Sequence, residues 1–389
     1  PVLIKVKFMS ELRTIETEYS LLTDRLRVNV GPQHPSTHGV LRLEVVLDGE
    51  IVVDVIPHIG YLHRCFEKHA EAMTYPQVVP YVDRMDYISS MNNEWSYVMG
   101  VEKLMDIKVP ERVEFIRVIM AELNRIANHQ IAVATFGLDA GAFTPFLYFF
   151  RDREMILSIF EKTCGGRLLY NYFTVGGLNY DIYPTFVDDC LAVVKKVRET
   201  NAEVMELLIK NKIFIDRTAN IGILPADVGI NFGCSGPMLR GSGVPFDLRR
   251  VDNYSVYEKF DFEVCVGKGE VGSLGDCWDR NIVRMREMEE SCKIIEQAVK
   301  NIPDGDVKAA IPKRVKPPVG EVYCRTETPK GELGYYIVSD GGLKPYRVKG
   351  RAPSFVNLSV LPEISKGYMF ADLILILGSV DIVLGEVDR

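Results

Sequence analysis

Apolar and polar residues alternate early in the chain and then give way to a longer period. Leu26-Arg-Val-Asn-Val30 alternates strictly. Val40 to Leu47 and Ile51 to Ile56 flank Asp48-Gly49, a strong hairpin signal. Between the first two of these strands, Gly31-Pro-Gln-His-Pro-Ser-Thr-His-Gly39 holds too much Pro and Gly for helix or strand, and predicts a rigid loop presenting His34 and His38. From about 60 to 300 the period is helical. Val113, Ile116, Met120, Leu123 and Ala127 recur at helical spacing behind Pro110-Glu111, a favourable helix start. Phe186 to Leu208 and Asp279 to Ile302 repeat the pattern, and the second carries Arg284, Arg286, Glu287, Glu289 and Glu290 on a side that reads as solvated or partner-facing. Pro303 to Pro318 is a Pro-rich connection, and Gly320 to Phe355 returns to strand. The expected fold class is α+β. An N-terminal antiparallel β region (1–57) precedes a helical core (58–302), a linker (303–319) and a C-terminal α+β region (320–389) that returns to the core. No internal repeat is present.

Two apolar stretches test for a membrane span. Ile131 to Phe150 has the nominal length, but Asp139 sits near its centre and Gly137, Gly141 and Pro145 interrupt it. It reads as two helix segments meeting at a buried bend. Met369 to Leu384 is interrupted by Asp372, Gly378 and Asp381, and reads as core. Pro1 to Lys7 lacks the apolar stretch and cleavage site of a secretory signal, and a start without Met reads as trimmed or partial.

Charge and cysteine usage narrow the classes. The net charge is 46 − 53 = −7, so nucleic acid and anionic membrane are poor main partners. Eight cysteines stand singly and none has C-x-x-C spacing, which argues against a zinc ribbon or a cluster-binding run, and for a reducing compartment. All six histidines lie at or before His129. Gly267-Lys-Gly-Glu-Val-Gly272 matches a dinucleotide fingerprint literally after a strand-like Phe262 to Val266, yet Glu270 and the loop Ser273 to Asp276 spoil the helix N-terminus that a pyrophosphate needs, so a surface hairpin or loop is expected. Asp276, Asp279 and Glu287 fit no oxygen-ligand loop and read as an exposed, acidic helix start.

Three segments set polar groups among apolar ones: the His34/His38 loop, the run Gly60 to Lys68 through Tyr81 to Tyr87, and Asp139. A buried carboxylate needs a partner or a proton, and an imidazole paired with one can pass a proton to a substrate oxygen near neutral pH. A tyrosine adds a neutral donor. Equally, a histidine in such a loop can serve only to brace it, and a lone Asp can serve as a helix cap.

Gly31 to Arg42 resembles the signature of the 49-kDa (D) subunit of respiratory complex I, the proton-pumping NADH:quinone oxidoreductase. So do Gly60-Tyr-Leu-His-Arg64, Arg84-Met-Asp-Tyr87, Gly334 to Gly341, Arg351-Ala-Pro-Ser-Phe355 and Gly378-Ser-Val-Asp381. The likeness runs from about Leu26 to Arg389. That family is similar in turn to the large subunit of nickel–iron hydrogenases, which implies the same fold. Where those enzymes carry R-x-C-x-x-C, this chain has Arg84 to Ser89. Where they carry D-P-C-x-x-C-x-x-H, it has Asp381 to Arg389. Asp86, Ser89, Val383 and Glu386 thus stand in for four thiolates and Arg389 for the histidine, so nickel is not expected and no metal is assigned.

The resemblance implies that the old metal cavity receives a quinone headgroup, with His38 and Tyr87 contacting it, Asp139 as the buried carboxylate and Thr135 lining the site. It places Arg64 and Arg84 beside the terminal tetranuclear iron–sulfur cluster of a neighbouring subunit. It implies no cofactor held by this chain alone, quinone as substrate, and as partners the small iron–sulfur subunit, a 30-kDa-type subunit and a quinone-channel membrane subunit, without homo-oligomerisation. The expected location is peripheral, on the cytoplasmic side of the plasma membrane or the matrix side of the mitochondrial one. Many relatives place a His before the segment that here reads Asn171-Tyr-Phe-Thr-Val-Gly-Gly177; in this chain Leu169 takes that place. That His is thought to couple cluster reduction to proton uptake, so a lower and less pH-dependent cluster potential is expected, suited to a quinone such as menaquinone. Ferredoxin- or F420-dependent relatives, a membrane-bound hydrogenase-like complex and a scaffold without quinone are the other readings.

Overall fold

A computed structural model of the chain describes residues 25–389 in full and, before them, the backbone of strands β1 (Leu3–Lys5) and β2 (Thr17–Ser20). The reading of the start at Pro1 to Lys7 falls mostly outside the described residues. Strands β3 (Arg25–Val30), β4 (Arg42–Asp48) and β5 (Ile51–His58) continue from β1 and β2 as a five-stranded antiparallel meander. In β4, Leu43, Val45 and Leu47 are buried, whereas Glu44 lies on the other face with Arg27 and His58. The β4–β5 turn has Gly49 at φ 60°, matching the Asp-Gly signal.

Helices α1 (Phe66–Ala72), α2 (Tyr75–Asp83) and α3 (Ser90–Leu104) lead to the two long helices α4 (Glu111–Asp139) and α5 (Thr144–Cys164). A two-strand hairpin follows, β6 (Phe173–Thr174) and β7 (Gly177–Leu178), then α6 (Phe186–Val204). Short helices α7 (Lys212–Thr218), α8 (Ala226–Phe232), α9 (Pro237–Gly241) and α10 (Leu248–Val251) precede α11 (Cys277–Lys300). The C-terminal part is a three-stranded antiparallel sheet, β8 (Gly320–Thr328), β9 (Gly331–Ser339) and β10 (Arg347–Arg351), then α12 (Pro353–Leu358), α13 (Leu361–Ser365), α14 (Phe370–Val380) and α15 (Leu384–Asp388). The architecture is α+β, and one buried apolar cluster runs from Val28 to Val387. Residues of the Pro-rich connection lie on the helical part, where Leu178 N–H donates to the Val307 carbonyl at 2.9 Å and Ala309 N–H to that of Gly176 at 2.7 Å.

α4 organises the rest. Every residue from Phe115 to Gln130 is buried, so the helix is packed on all faces, chiefly by α11 and α5. Its polar residues must then be matched from neighbouring elements. Arg117 holds Glu102 of α3 through both terminal nitrogens, at 3.0 and 2.7 Å. Glu122 takes Arg249, Tyr257 and Ser291. His129 Nε2 meets Glu287 Oε2 at 2.9 Å, and Glu287 also accepts from Arg240 at 2.7 Å.

Four expectations are corrected. The α4–α5 bend is not buried: Gly141 and Phe143 are exposed, because Gly141 at φ 90° and Pro145 in the first turn of α5 make a surface turn. Arg284, Glu287 and Glu290 do not face solvent, because α11 lies against α4 and its charges are met by Arg240, His129 and backbone groups. The start of α11 is acidic but buried. Asp276 caps it by accepting from Asp279 N–H, and Asp279 accepts from Gly269 and Gly275 N–H. Phe262 to Val266 is irregular rather than strand, since its backbone bonds to side chains such as Glu290 and Arg250 instead of a ladder. Among the described residues, no helix is long and apolar enough to cross a membrane.

Candidate functional site

The loop between β3 and β4 gives its two histidines different work. His34 braces it: its ring accepts from Ser36 N–H at 3.2 Å, and its carbonyl accepts from the Thr37 hydroxyl at 2.8 Å. His38, in the left-handed region at φ 53°, points away instead and sets Nε2 2.9 Å from Asp139 Oδ2. Asp139 closes α4 at its C-terminal end, where the helix dipole disfavours an anion and no N-cap is needed. His38 is therefore its stabilising partner. Both side chains are largely covered, at 18% and 14% exposure. α14 closes over them at Gly378.

A second polar group was not foreseen from the sequence. β8 and β9 are joined by Pro329-Lys330, and this tip is driven into the core. Glycines permit the approach: a β-carbon on Gly236 would lie 2.5 Å from the Lys330 carbonyl oxygen. The Lys330 side chain is 1% exposed, and its ammonium lies 3.1 Å from Asp86 Oδ2 and 3.8 Å from Asp381 Oδ2 and donates to Asn128 Oδ1. Asn128 also donates to Asp381 Oδ2 at 3.2 Å. Burial works against the charge on Lys330, but Asp381, Asp86 and Glu386 outweigh it and hold its pKa above the ordinary value. Glu386 is fully buried, accepts from Ser354 N–H at 3.0 Å and keeps Oε1 without a partner. Burial, then the Asp86 carboxylate, push its pKa up to about 7. Ser89 is buried and accepts from Asn92, and Val383 is buried.

Tyr87 follows Asp86 and is half-buried. Burial and Asp86 raise its pKa, and Lys330 and Arg64 oppose the rise. No hydrogen bond joins Tyr87 to His38 or Asp139 among the described residues. What links the two groups is α14, which meets the pair at Gly378 and leads into Asp381 beside Lys330. Asn128, Thr135 and Asp139 stand seven and four residues apart, and so share one face of α4. The Thr135 hydroxyl bonds back to the Ile131 carbonyl at 2.9 Å. Arg64 and Arg84 are both exposed, and the Arg64 guanidinium donates to the carbonyls of Arg84 and Gly385, each at 3.0 Å. Leu169 is half-buried in a segment held by Ser90, which donates to the Leu168 carbonyl, and by Asp83, which accepts from Tyr170 N–H. Among the described residues, no three His, Cys, Asp or Glu side chains converge as a metal site.

The family model described as respiratory-chain NADH dehydrogenase, 49 Kd subunit, matches residues 139–317 and 309–389. The chain is 56% identical over 381 residues to the D subunit of the NADH-quinone oxidoreductase of Chlorobaculum tepidum, covering 97% of this chain and 95% of that one. It is 56% identical over 372 residues to the first D subunit of the same enzyme in Cytophaga hutchinsonii, covering 93% and 95%. With the D subunit from Chlorobium chlorochromatii it shares 54% over 393 residues, covering 100% and 98%. The chain belongs to the 49-kDa subunit family of the respiratory-chain NADH dehydrogenase, complex I.

Proposed function

We propose that this chain forms the quinone-reduction site of the complex, on a fold like that of the nickel–iron hydrogenase large subunit, with the small iron–sulfur subunit closing the cavity. The observation that carries the reading is the His38–Asp139 pair, 2.9 Å apart and brought together across 101 residues of chain. Tyr87 and His38 hydrogen-bond the two carbonyl oxygens of the headgroup and donate protons as negative charge develops there. Asp139 fixes the ring of His38 and responds when that ring gives up its proton. Thr135 lines the same face of α4. The neighbouring subunit's terminal cluster supplies electrons one at a time, and the cationic Arg64 and Arg84 stabilise its reduced form. The change in charge at the pair is relayed to the membrane arm through the quinone-channel subunit; a 30-kDa-type subunit completes the local assembly, peripheral on the cytoplasmic or matrix side. The names of the relatives favour NADH as donor over ferredoxin or F420.

Tyr87→Phe tests the site. It should raise the apparent quinone KM or depress quinone reduction while NADH–ferricyanide activity survives. Unchanged quinone kinetics would remove the assignment.

A further inference from the structure

β8 is an edge strand. The C-terminal sheet runs in the order β10, β9, β8, and among the described residues no strand pairs with the far side of β8. Three hydrogen bonds fix which of its backbone groups face outward. Glu327 N–H donates to the Tyr254 hydroxyl at 3.2 Å and Glu332 N–H to the Ser235 hydroxyl at 3.0 Å. The Val338 carbonyl accepts from Tyr346 N–H at 2.9 Å, on the β10 side. Glu327 faces Glu332 in the register, and Glu321 faces Val338, so both pairs are of the kind that exchange no hydrogen bond. Such pairs alternate along an antiparallel ladder, and β8 keeps unbroken register with β9 from Gly320 to Thr328. Glu321, Tyr323 and Arg325 therefore turn N–H and C=O away from β9. Tyr254 closes this edge at Glu327, but among the described residues no other backbone group meets the three before it.

The open edge borders a cleft of about 370 Å³, lined by Lys103 of α3, by Asp252, Asn253 and Tyr254 after α10, and by Tyr323 and Arg325. Cys324 packs on α3 at Gly100, whereas Tyr323 covers Gly334 on the opposite face of the sheet. A cleft that takes Lys103 from one face and Tyr323 from the other lies beside the strand. Its acids are engaged: Asp252 accepts from Arg325 at 2.7 Å, and Glu321 from the Tyr336 hydroxyl at 2.5 Å. Lys103 is exposed and has no ion pair among the described residues, and the same holds for Lys316, on the approach to β8. Edges left to solvent are usually blunted by proline, lysine or a bulge. Gly320 to Arg325 carries none of these.

We propose that an extended segment of a neighbouring subunit adds to β8 as a fourth strand. Its backbone pairs with Glu321, Tyr323 and Arg325, and an acidic side chain on it reaches Lys103. Main-chain bonds supply the affinity, and the charge pair sets the register.

The intact complex provides the test. The amides of Glu321 and Tyr323 should exchange with deuterium at least about a hundredfold slower than their intrinsic rates. Exchange at the intrinsic rate would overturn the proposal. p-Benzoylphenylalanine at position 323, activated by light, should join this chain to one other subunit, at a stretch that holds Asp or Glu. A cross-link to a second copy of this chain or to lipid, or none at all, would also overturn it. Glu321→Pro removes one outward N–H and leaves the ladder to β9 intact. It should lower the yield of complex that retains the cross-linked subunit roughly fivefold or more on native gels. Glu321→Gln keeps the amide and should assemble like the wild type. Equal assembly of the two variants would mean that the edge is not used. If Glu321→Pro fails to fold, exchange and cross-linking decide.

Discussion

Gly378 and Asp139 are packed so closely that a β-carbon on the glycine would lie 2.8 Å from Asp139 Oδ2 and 3.3 Å from His38 Nε2. Phe136 shuts the same space at 3.1 Å, so a methyl group there must displace one member of the pair. Gly378→Ala is expected to lower kcat/KM for quinone by roughly tenfold, or about 1.4 kcal/mol of transition-state stabilisation, without loss of NADH–ferricyanide activity. Steady-state kinetics with both acceptors measures this. Equal quinone kinetics would mean that the pair's spacing is not used.

The buried charge network under α4 makes a second case. Arg240 holds Glu287 at 2.7 Å and Glu327 at 2.6 Å, all three out of water. Arg240→Met would strand two carboxylates, a loss of about 3–5 kcal/mol. Arg198 also binds two carboxylates, Glu289 and Glu296, but in partly solvated positions, and Arg198→Ala should cost about 1 kcal/mol or less. Native gels of the assembled complex compare the two; similar yields would contradict the ranking.

These cases show what was legible in the chain. The strands and long helices follow from periodicity, because their apolar spacing records which face is covered. His38 and Asp139 stood out as polar groups in unsuitable surroundings, yet spacing along the sequence does not tell which distant groups meet. Lys330 was missed because Pro-Lys-Gly reads as a solvated turn, and hairpin tips normally are. Only the glycines at 236 and 331, on two segments far apart in sequence, hint that this one is pressed inward. The charges on α11 were misread for a related reason. Amphipathic logic assumes that one helix face is wet, and a helix buried on most sides answers its charges with charges elsewhere.

Glu386 gives stability a pH dependence with a definite sign. Burial and Asp86 raise its pKa from 4.5 to about 7, so the folded chain binds this proton more tightly than the unfolded one. The contribution is fully present below pH 4.5 and is lost as pH rises through 7, up to about 3 kcal/mol in all. Hydrogen-exchange protection in α15, corrected for intrinsic rates, should fall between about pH 5 and pH 7 and level off above that. In Glu386→Gln it should stay flat. A flat wild-type profile would exclude the shift.

Leu169 tests the link between cluster and proton. Leu169→His should raise the cluster's midpoint potential and give it a pH slope approaching roughly 59 mV per unit, steeper than in the wild type. Redox titration followed by EPR reads both. A strong slope in the wild-type protein would defeat the Leu169 argument and turn attention to Asp83 and Glu94, a buried carboxyl pair beneath the same segment whose pKa values burial raises.

The inward-driven tip of β8–β9 has a consequence for how the site is made. Its cation is installed by translation, as part of the polypeptide, and arrives when the hairpin docks. Lys330 needs no loading machinery, is indifferent to chelators and to the supply of trace elements, and holds a single valence whatever the redox state around it. The charge on which Asp86 and Asp381 depend is in this sense inherited rather than acquired.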